Sequence, residues 1–529
     1  MIKSYLTKSL LLLLGTITLV ACQEKKVKHS IQFPNTDLAS ENMIPKPFKI
    51  IPTNGAFGLD KHTAIFTSQN SIGFPEVGKF LSDKIKEKIN LSVPVNESVS
   101  ETVERIIYIN QSDNLDLASN ESYQLYITKD SVIINSKTAE GAFRGIQTLR
   151  QIIPETSNDT LTNHKMWLIP TGKIWDHPNY AYRGAMLDVA RHFFGVEDVK
   201  KYLDLLAYYK INVLHLHLSD DQGWRIEIKS WPKLTEVGGK SEVGGGEGGF
   251  YTQDDYKDLV SYAAVRHITI VPEIDMPGHT NAASVSYPIL NGNGKALKPY
   301  SGTHVGFSTF DARKDTVYAF IDDVIREISE MTPGPYFHIG GDESHVTKKR
   351  DYILFVDKVE KIVQKYGKKM IGWDEIAQSD IDSTTIGQHW SNESNALSAI
   401  KKGSKIILSP AKKVYLDMQY DTLSKFGLHW AAYIPVDSAY QWNPDKYLKG
   451  IGSKDILGIE APLWSETIST MEELEYLAFP RIIGYSELGW TTEENRDWEN
   501  YRVRLGNQAP FLDQMNVKYY PSPKIDWKN

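Results

Sequence analysis

The sequence predicts an α/β protein: a (β/α)8 barrel over residues 178–529, preceded by a small α+β domain over residues 43–177. Three observations carry this. From about Tyr180, short apolar runs alternate with amphipathic helical stretches, eight times over, which is the rhythm of a parallel barrel. The segment before it mixes strand and helix without that rhythm. Polar and aromatic residues gather where the later runs end, and a barrel of this kind builds its site at the C-terminal ends of its strands.

Residues 1–22 stand outside the fold. Lys3 and Lys8 precede the apolar run Leu10–Val20, which is too short to span a bilayer and has the layout of a secretory signal. It ends Leu19-Val20-Ala21-Cys22, which resembles a bacterial lipoprotein signal with Cys22 as the lipidated residue. Cys22 is the only cysteine, so no intramolecular disulfide forms. Lys25, Lys26 and Lys28 open a polar tether, residues 23–42, that holds the body off a membrane.

In the small domain, Arg105–Ile109 reads as a buried strand. Ser122–Thr128 and Ser131–Ser136 alternate apolar and polar around the turn Lys129-Asp130, a hairpin. Ala139–Ile153 carries apolar residues at helical spacing until Pro154 stops it. In the barrel the expected strands are Arg183–Val189, Asn212–Leu218, Ile268–Ile274, Tyr336–Ile339, Met370–Trp373, Thr385–Trp390, Lys405–Ser409 and Ile456–Leu463. Helices are expected at Asp198–Tyr209, Asp254–Ala264, Asp315–Glu330 and Tyr352–Lys365. The glycine-rich stretch Gly238–Gly249 reads either as a mobile loop over the cleft or as a long surface insertion. Tyr501–Asn529 reads as an exposed tail that packs on the barrel or on a partner.

The chain's 41% apolar and 24% charged residues suit a globular protein, and a net charge of −7 argues against a nucleic-acid partner. Its 12 Trp and 28 Tyr hint weakly at a sugar-binding cleft. The strand ends are more specific. They read Asp188-Val-Ala-Arg191-His192, then Ser219-Asp220-Asp221-Gln-Gly-Trp224-Arg225, then Glu273-Ile-Asp275-Met-Pro-Gly-His279. Asp342-Glu343, Trp373-Asp374-Glu375, His389-Trp390 and Trp464-Ser465-Glu466 follow. In His338-Ile-Gly-Gly-Asp342-Glu343, adjacent carboxylates point different ways and so divide two tasks between them.

These motifs together resemble the β-N-acetylhexosaminidases of glycoside hydrolase family 20. Residues 183–192, 215–225, 272–279 and 338–343 carry the resemblance, in family order, and it covers about residues 43–510. The family departs from the usual two-carboxylate scheme by using the substrate's own acetamide as nucleophile. The resemblance implies an exo-acting, retaining enzyme that removes terminal β-linked GlcNAc or GalNAc through an oxazolinium intermediate. It implies that Glu343 is the general acid and base, that Asp342 orients the acetamide and stabilises its charge, and that Tyr415 donates to the acetamide oxygen. Asp220 and His279 match the family's relay toward Glu343. Arg191 matches the ligand of O3 and O4, Asp417 and Glu466 match residues reaching O6 and O4, and Trp390, Trp430 and Trp464, with Trp373 close behind, match the aromatic walls. The charge of Asp342 is expected to raise the pKa of Glu343.

No cofactor or metal is expected, and the partners are an oligosaccharide or glycoconjugate and, through Cys22, the membrane of a bacterial cell envelope, outer membrane first. Two other readings compete. A metal-dependent barrel hydrolase would use His215-x-His217, but gives the acidic pair and the tryptophans no role; those histidines are expected to be interior residues bonded to neighbours. A non-catalytic glycan-binding lipoprotein predicts loss of the acid, whereas Glu343 is intact.

Overall fold

The computed structural model describes residues 33–68, 71–96, 103–113, 119–157, 165–292, 294–295 and 297–528. The leader, Cys22 and the first part of the tether lie outside them. Strands β1 (Lys49–Leu59), β2 (Thr63–Thr67), β3 (Arg105–Gln111), β4 (Tyr123–Ile127), β5 (Ser131–Ser136) and β6 (Trp167–Asp176) form one sheet in the order β1-β6-β4-β5-β3-β2. β4 and β5 are the expected hairpin, antiparallel with Leu125 opposite Ile134. Alternate residues of β5 are buried, as a half-covered strand requires. Helices Phe74–Ile89 and Ala139–Ile152 pack on this sheet and on each other.

The second part is a closed parallel barrel of β7 (Tyr182–Asp188), β8 (Val213–His217), β9 (Thr269–Glu273), β10 (Tyr336–His338), β11 (Lys369–Trp373), β12 (Ile386–His389), β13 (Ile406–Leu408) and β14 (Ile456–Leu463). β14 returns to pair with β7. Every expected strand is present. The anticipated helices appear as Val196–Tyr208, Gln253–Ala264, Asp315–Met331 and Lys349–Lys365. A capping box places the start of Gln253–Ala264: the Thr252 hydroxyl accepts from the Asp255 N–H while the Asp255 carboxylate accepts from the Thr252 N–H.

Barrels of this class usually fill their interior with branched apolar side chains. This one also buries charge: His215, His217, Glu273, His338 and Glu460 have no exposed surface. His215 Nδ1 lies 2.9 Å from Glu460 Oε1, and His217 Nε2 lies 2.8 Å from Asp220 Oδ2. The pair read from His215-x-His217 is therefore interior and bonded to carboxylates.

Three expectations are corrected or sharpened. The tether does not run to residue 42: Leu38 is fully buried against Gly172, and Gln508 donates to the Asn42 carbonyl at 2.7 Å. Burial of Leu38 and the Asn42 hydrogen bond together seat that segment. The tail is not exposed. Its helix Trp498–Gly506 buries Tyr501, which stacks on Tyr440 with ring centroids 4.0 Å apart. The glycine-rich stretch is laid against the barrel, because the buried Arg225 guanidinium donates to the carbonyls of Gly239, Ser241 and Gly249. Its Val243 N–H donates to the Arg191 carbonyl, so it braces the rim of the cleft.

The sheet and the barrel meet across a buried ion cluster. Glu121 accepts from Arg144 Nε at 2.7 Å and from Arg183 Nη1 at 2.9 Å, and all three side chains are buried. Removing Glu121 takes away the carboxylate that both buried guanidinium groups share and leaves Glu140, 3.5 Å from Arg144 Nη2, to face them. Glu121→Ala is expected to lower unfolding stability by about 3–5 kcal/mol, read as a fall in the urea midpoint at unchanged activity of the folded fraction.

Candidate active site

β10 ends at His338, and the chain then turns sharply through Gly340 (φ 67°) and Gly341 (φ 100°). A Cβ on Gly340 would stand 1.9 Å from Asp275 Oδ1, so only glycine fits there. The Gly341 N–H donates to that same oxygen at 3.1 Å. The turn delivers Asp342 and Glu343 to the C-terminal mouth of the barrel. Glu343 itself is left-handed (φ 43°), as is His279 (φ 54°). Such backbone costs about 1–3 kcal/mol for a residue with a side chain and concentrates at functional sites.

The mouth holds a cavity of about 280 Å³. Arg191, Asp342, Glu343, Trp390, Tyr415, Asp417, Trp430, Trp464 and Glu466 line it. Asp220, His279 and Trp373 stand directly behind. Trp373 is buried beneath the wall, its ring 5.7 Å from that of Trp464 and its Nε1 donating to Glu273 at 3.0 Å. Trp430 is more than half exposed and forms the outer lip. Tyr415 lies between the rings of Trp430 and Trp464, at 6.0 and 6.2 Å. The Arg191 guanidinium lies 4.8 Å over the Trp464 ring and is held by Asp220 at 2.7 Å and Asp188 at 3.4 Å.

Behind the acidic pair, His279 Nδ1 meets Asp220 Oδ1 at 3.1 Å. Its Nε2 lies 3.6 Å from Glu343 and 3.8 Å from Asp342, ion-pair distances rather than hydrogen bonds. Burial opposes charge on Asp220, but Arg191 and His279 hold its carboxyl well below the usual range. Burial likewise opposes charge on His279, and Asp220 and Asp275 outweigh it and keep the ring protonated.

The expected direction for Glu343 is corrected here. Burial pushes its carboxyl up, but His279 more than offsets this, and Glu343 sits below its ordinary value. Asp342 is the raised member, at about 6, because it is more deeply buried and faces Glu343. Proximity to a like charge raises one carboxyl of a pair, and here the nearby cation decides which. Asp417 is raised by burial and by Glu466, and Tyr415 by burial and by Asp342, so its phenol keeps its proton.

Several residues of the site carried no assignable signal in the sequence. Trp390 is aimed by Glu375, which accepts its indole N–H at 3.1 Å. Asp374 accepts the backbone N–H groups of Trp390, Ser391 and Asn392 and the ring of His389. Trp373-Asp374-Glu375 stood out as a strand end, but its partners were not legible. Thr303, Val305 and Leu428 also line the cavity, from loops without periodicity.

The family model described as the catalytic domain of glycosyl hydrolase family 20 matches residues 180–352 and 345–493, and that of the same family's domain 2 matches residues 40–177. A β-N-acetylhexosaminidase of Cellulomonas fimi is 35% identical over 488 residues, 92% of this chain and 97% of that protein. A β-hexosaminidase of Porphyromonas gingivalis is 36% identical, across 96% of this chain and 68% of its own length. The solved structure of Streptomyces plicatus N-acetyl-β-hexosaminidase in complex with Thio-NAglucal matches with a TM-score of 0.88 at 42% identity, covering 94% of this chain and all of that one. A mutant of that enzyme was solved with its product GlcNAc.

The raised Asp342 carboxyl makes stability depend on pH. It binds a proton in the fold that the unfolded chain releases, so its contribution is full below about pH 4 and is lost as pH rises through about 6. At pH 7.5 the ionised, buried carboxylate works against folding. Asp342→Asn is expected to be more stable than wild type there by about 1–3 kcal/mol, with the gap closing toward pH 4; thermal melts across that range check it.

Proposed function

The chain belongs to glycosyl hydrolase family 20, and from that premise we propose how its residues divide the work of an exo-acting β-N-acetylhexosaminidase. The enzyme removes terminal β-linked N-acetylhexosamine from glycans. The observation that carries the division is a set of buried polar atoms without hydrogen-bond partners among the described residues, Arg191 Nε, Asp342 Oδ1, Asp417 Oδ1 and Glu466 Oε2, on residues lining one small cavity. Buried polar atoms are normally bonded. A single sugar, with hydroxyls at O3, O4 and O6 and one acetamide, satisfies them together.

In this reading Arg191 binds O3 and O4, Glu466 O4 and Asp417 O6. Trp390 and Trp464, backed by Trp373, enclose the acetamide methyl, and Trp430 stacks at the outer lip. The acetamide oxygen attacks C1 while Glu343 protonates the glycosidic oxygen and the aglycone departs. Tyr415 donates its hydroxyl to the acetamide oxygen, and Asp342 accepts the acetamide N–H. Glu343 then takes a proton from water, which opens the oxazolinium ring at C1 with retention.

The same scheme accounts for the pKa order. A hydrogen bond from the acetamide N–H favours the ionised form of Asp342. A charged Asp342 in turn raises Glu343, so substrate moves the proton of the pair onto the acid that needs it. Arg191 and Glu466 both serve O4, and both epimers at that position remain substrates in this reading.

We place the enzyme on the bacterial cell envelope, outer membrane first, anchored by a lipid on Cys22. The motif Leu19-Val20-Ala21-Cys22 supports this. Cys22→Ser is expected to abolish incorporation of an alkyne-tagged fatty acid and move the activity from the membrane pellet to the soluble fraction.

Release of p-nitrophenol from the β-GlcNAc and β-GalNAc glycosides tests the assignment, with the β-glucoside as control. Wild type should hydrolyse the acetamido substrates alone. Glu343→Gln should lower kcat by about 10²–10⁴-fold. Turnover of the glucoside, or an unaffected Glu343→Gln, would sink the mechanism.

A further inference from the structure

His217 lies wholly inside the barrel, one layer below the cavity. Its Nδ1 is 2.5 Å from Glu273 Oε2 and its Nε2 is 2.8 Å from Asp220 Oδ2. An ionised carboxylate only accepts hydrogen bonds, so a ring nitrogen facing one must carry a proton. His217 faces a carboxylate with each nitrogen. Arg191 Nη1 also approaches Nε2, at 3.3 Å. One ring nitrogen cannot both donate and accept, and the shorter contact, to the ionised Asp220, makes it a donor. The ring is therefore an imidazolium.

Asp220 is the point where this matters. Its Oδ2 takes His217 and Arg191 Nη2, the latter at 2.7 Å. Its Oδ1 takes the Asp221 N–H at 2.5 Å and His279 Nδ1 at 3.1 Å. His217 also stands edge-on to the Trp464 ring at 5.0 Å. It thus touches the relay, the sugar-binding arginine's partner and the back of one wall, and the mechanism above gives it no role.

We propose that His217 is a positioning residue: held as a cation between Glu273 and Asp220, it fixes that aspartate on Arg191 and sets how much of its charge reaches His279 and, through it, Glu343. Glu273 is the counter-ion that keeps the cation in place, and it is itself fixed by the Trp373 indole N–H at 3.0 Å. The inference rests on Glu343 being the proton donor.

The groups facing His217 are Glu273 from β9, Asp220 beyond its own strand, Asp188 at the end of β7, Arg191 beyond β7, and Asp275 beyond β9. Taking one cation out of this set raises the pKa of every acid near it. His217→Gln keeps a donor of similar reach without the charge. Its kcat/KM profile on p-nitrophenyl β-GlcNAc should therefore shift on both limbs toward higher pH, by about half a unit to one unit. KM should rise as Arg191 loosens. A ring that merely fills space would alter kcat or melting temperature and leave both limbs in place, and unshifted limbs in the folded variant overturn the proposal.

A second measurement does not need the variant to fold. In the site-assigned imidazole ¹⁵N spectrum of the wild-type protein at pH 8.5, both nitrogens of His217 should be protonated. A neutral tautomer there overturns the proposal. Because that spectrum needs no turnover, it stands apart from the hydrolytic reading, which Glu343→Gln tests by itself.

Discussion

Glu273 is a carboxylate buried at the centre of a barrel, and the site depends on how that charge is matched. A lone ion there would be untenable. Glu273 instead meets His215, His217 and His338, and accepts the Trp373 indole N–H. Each partner leads outward. Trp373 lies under Trp464, and His217 leads to Asp220, from which Arg191 and His279 are both held. The side chains at the mouth therefore rest on an electrostatic scaffold below them rather than on apolar packing alone. The desolvation of so many ions is offset only while each keeps its partner.

The same rule is broken above that layer. Asp275, Asp342, Glu375, Asp417 and Glu466 are buried or half-buried carboxyls raised by desolvation and by neighbouring carboxylates. Arg191, His217, His279 and Arg481 act on individual members of this group and leave each of the five carboxyls raised. A surplus of acid that folding cannot neutralise is unfavourable for stability and useful for binding, because hydroxyls, an amide N–H and a developing cation are what it lacks. The mouth favours a ligand rich in donors that gains positive charge as it reacts, which is how an oxazolinium-forming sugar behaves.

The parts of this arrangement that repeat were legible in the sequence. Eight apolar runs announced the strands, and the residues ending them supplied Arg191, Asp342, Glu343, Trp373, Trp390 and Trp464, whereas Trp430, between β13 and β14, came only with the family resemblance. Parts set by distance in space were not. The order of ionisation within Asp342-Glu343 depends on His279, which is 63 and 64 positions earlier in the chain and reaches them only through the fold. Thr303 and Val305 come from a loop without pattern. Leu38 fell inside the expected tether because nothing local revealed Gly172 opposite it.

Backbone strain points the same way. Glu343 and His279 are both left-handed, and neither can be glycine, since each must present a side chain. Their conformations are held by close approaches around them. A Cβ on Gly278 would stand 3.2 Å from the Asp342 carbonyl oxygen, and one on Gly306 would stand 3.0 Å from that of Glu343. The loops after β9 and β10 and the segment at Gly306 thus lock against one another where an added methyl would crowd. An acid that must meet the glycosidic oxygen in one geometry needs a backbone that cannot relax. Here glycines at the neighbours allow the approach, and the strain falls on the two residues whose side chains face each other across the pair.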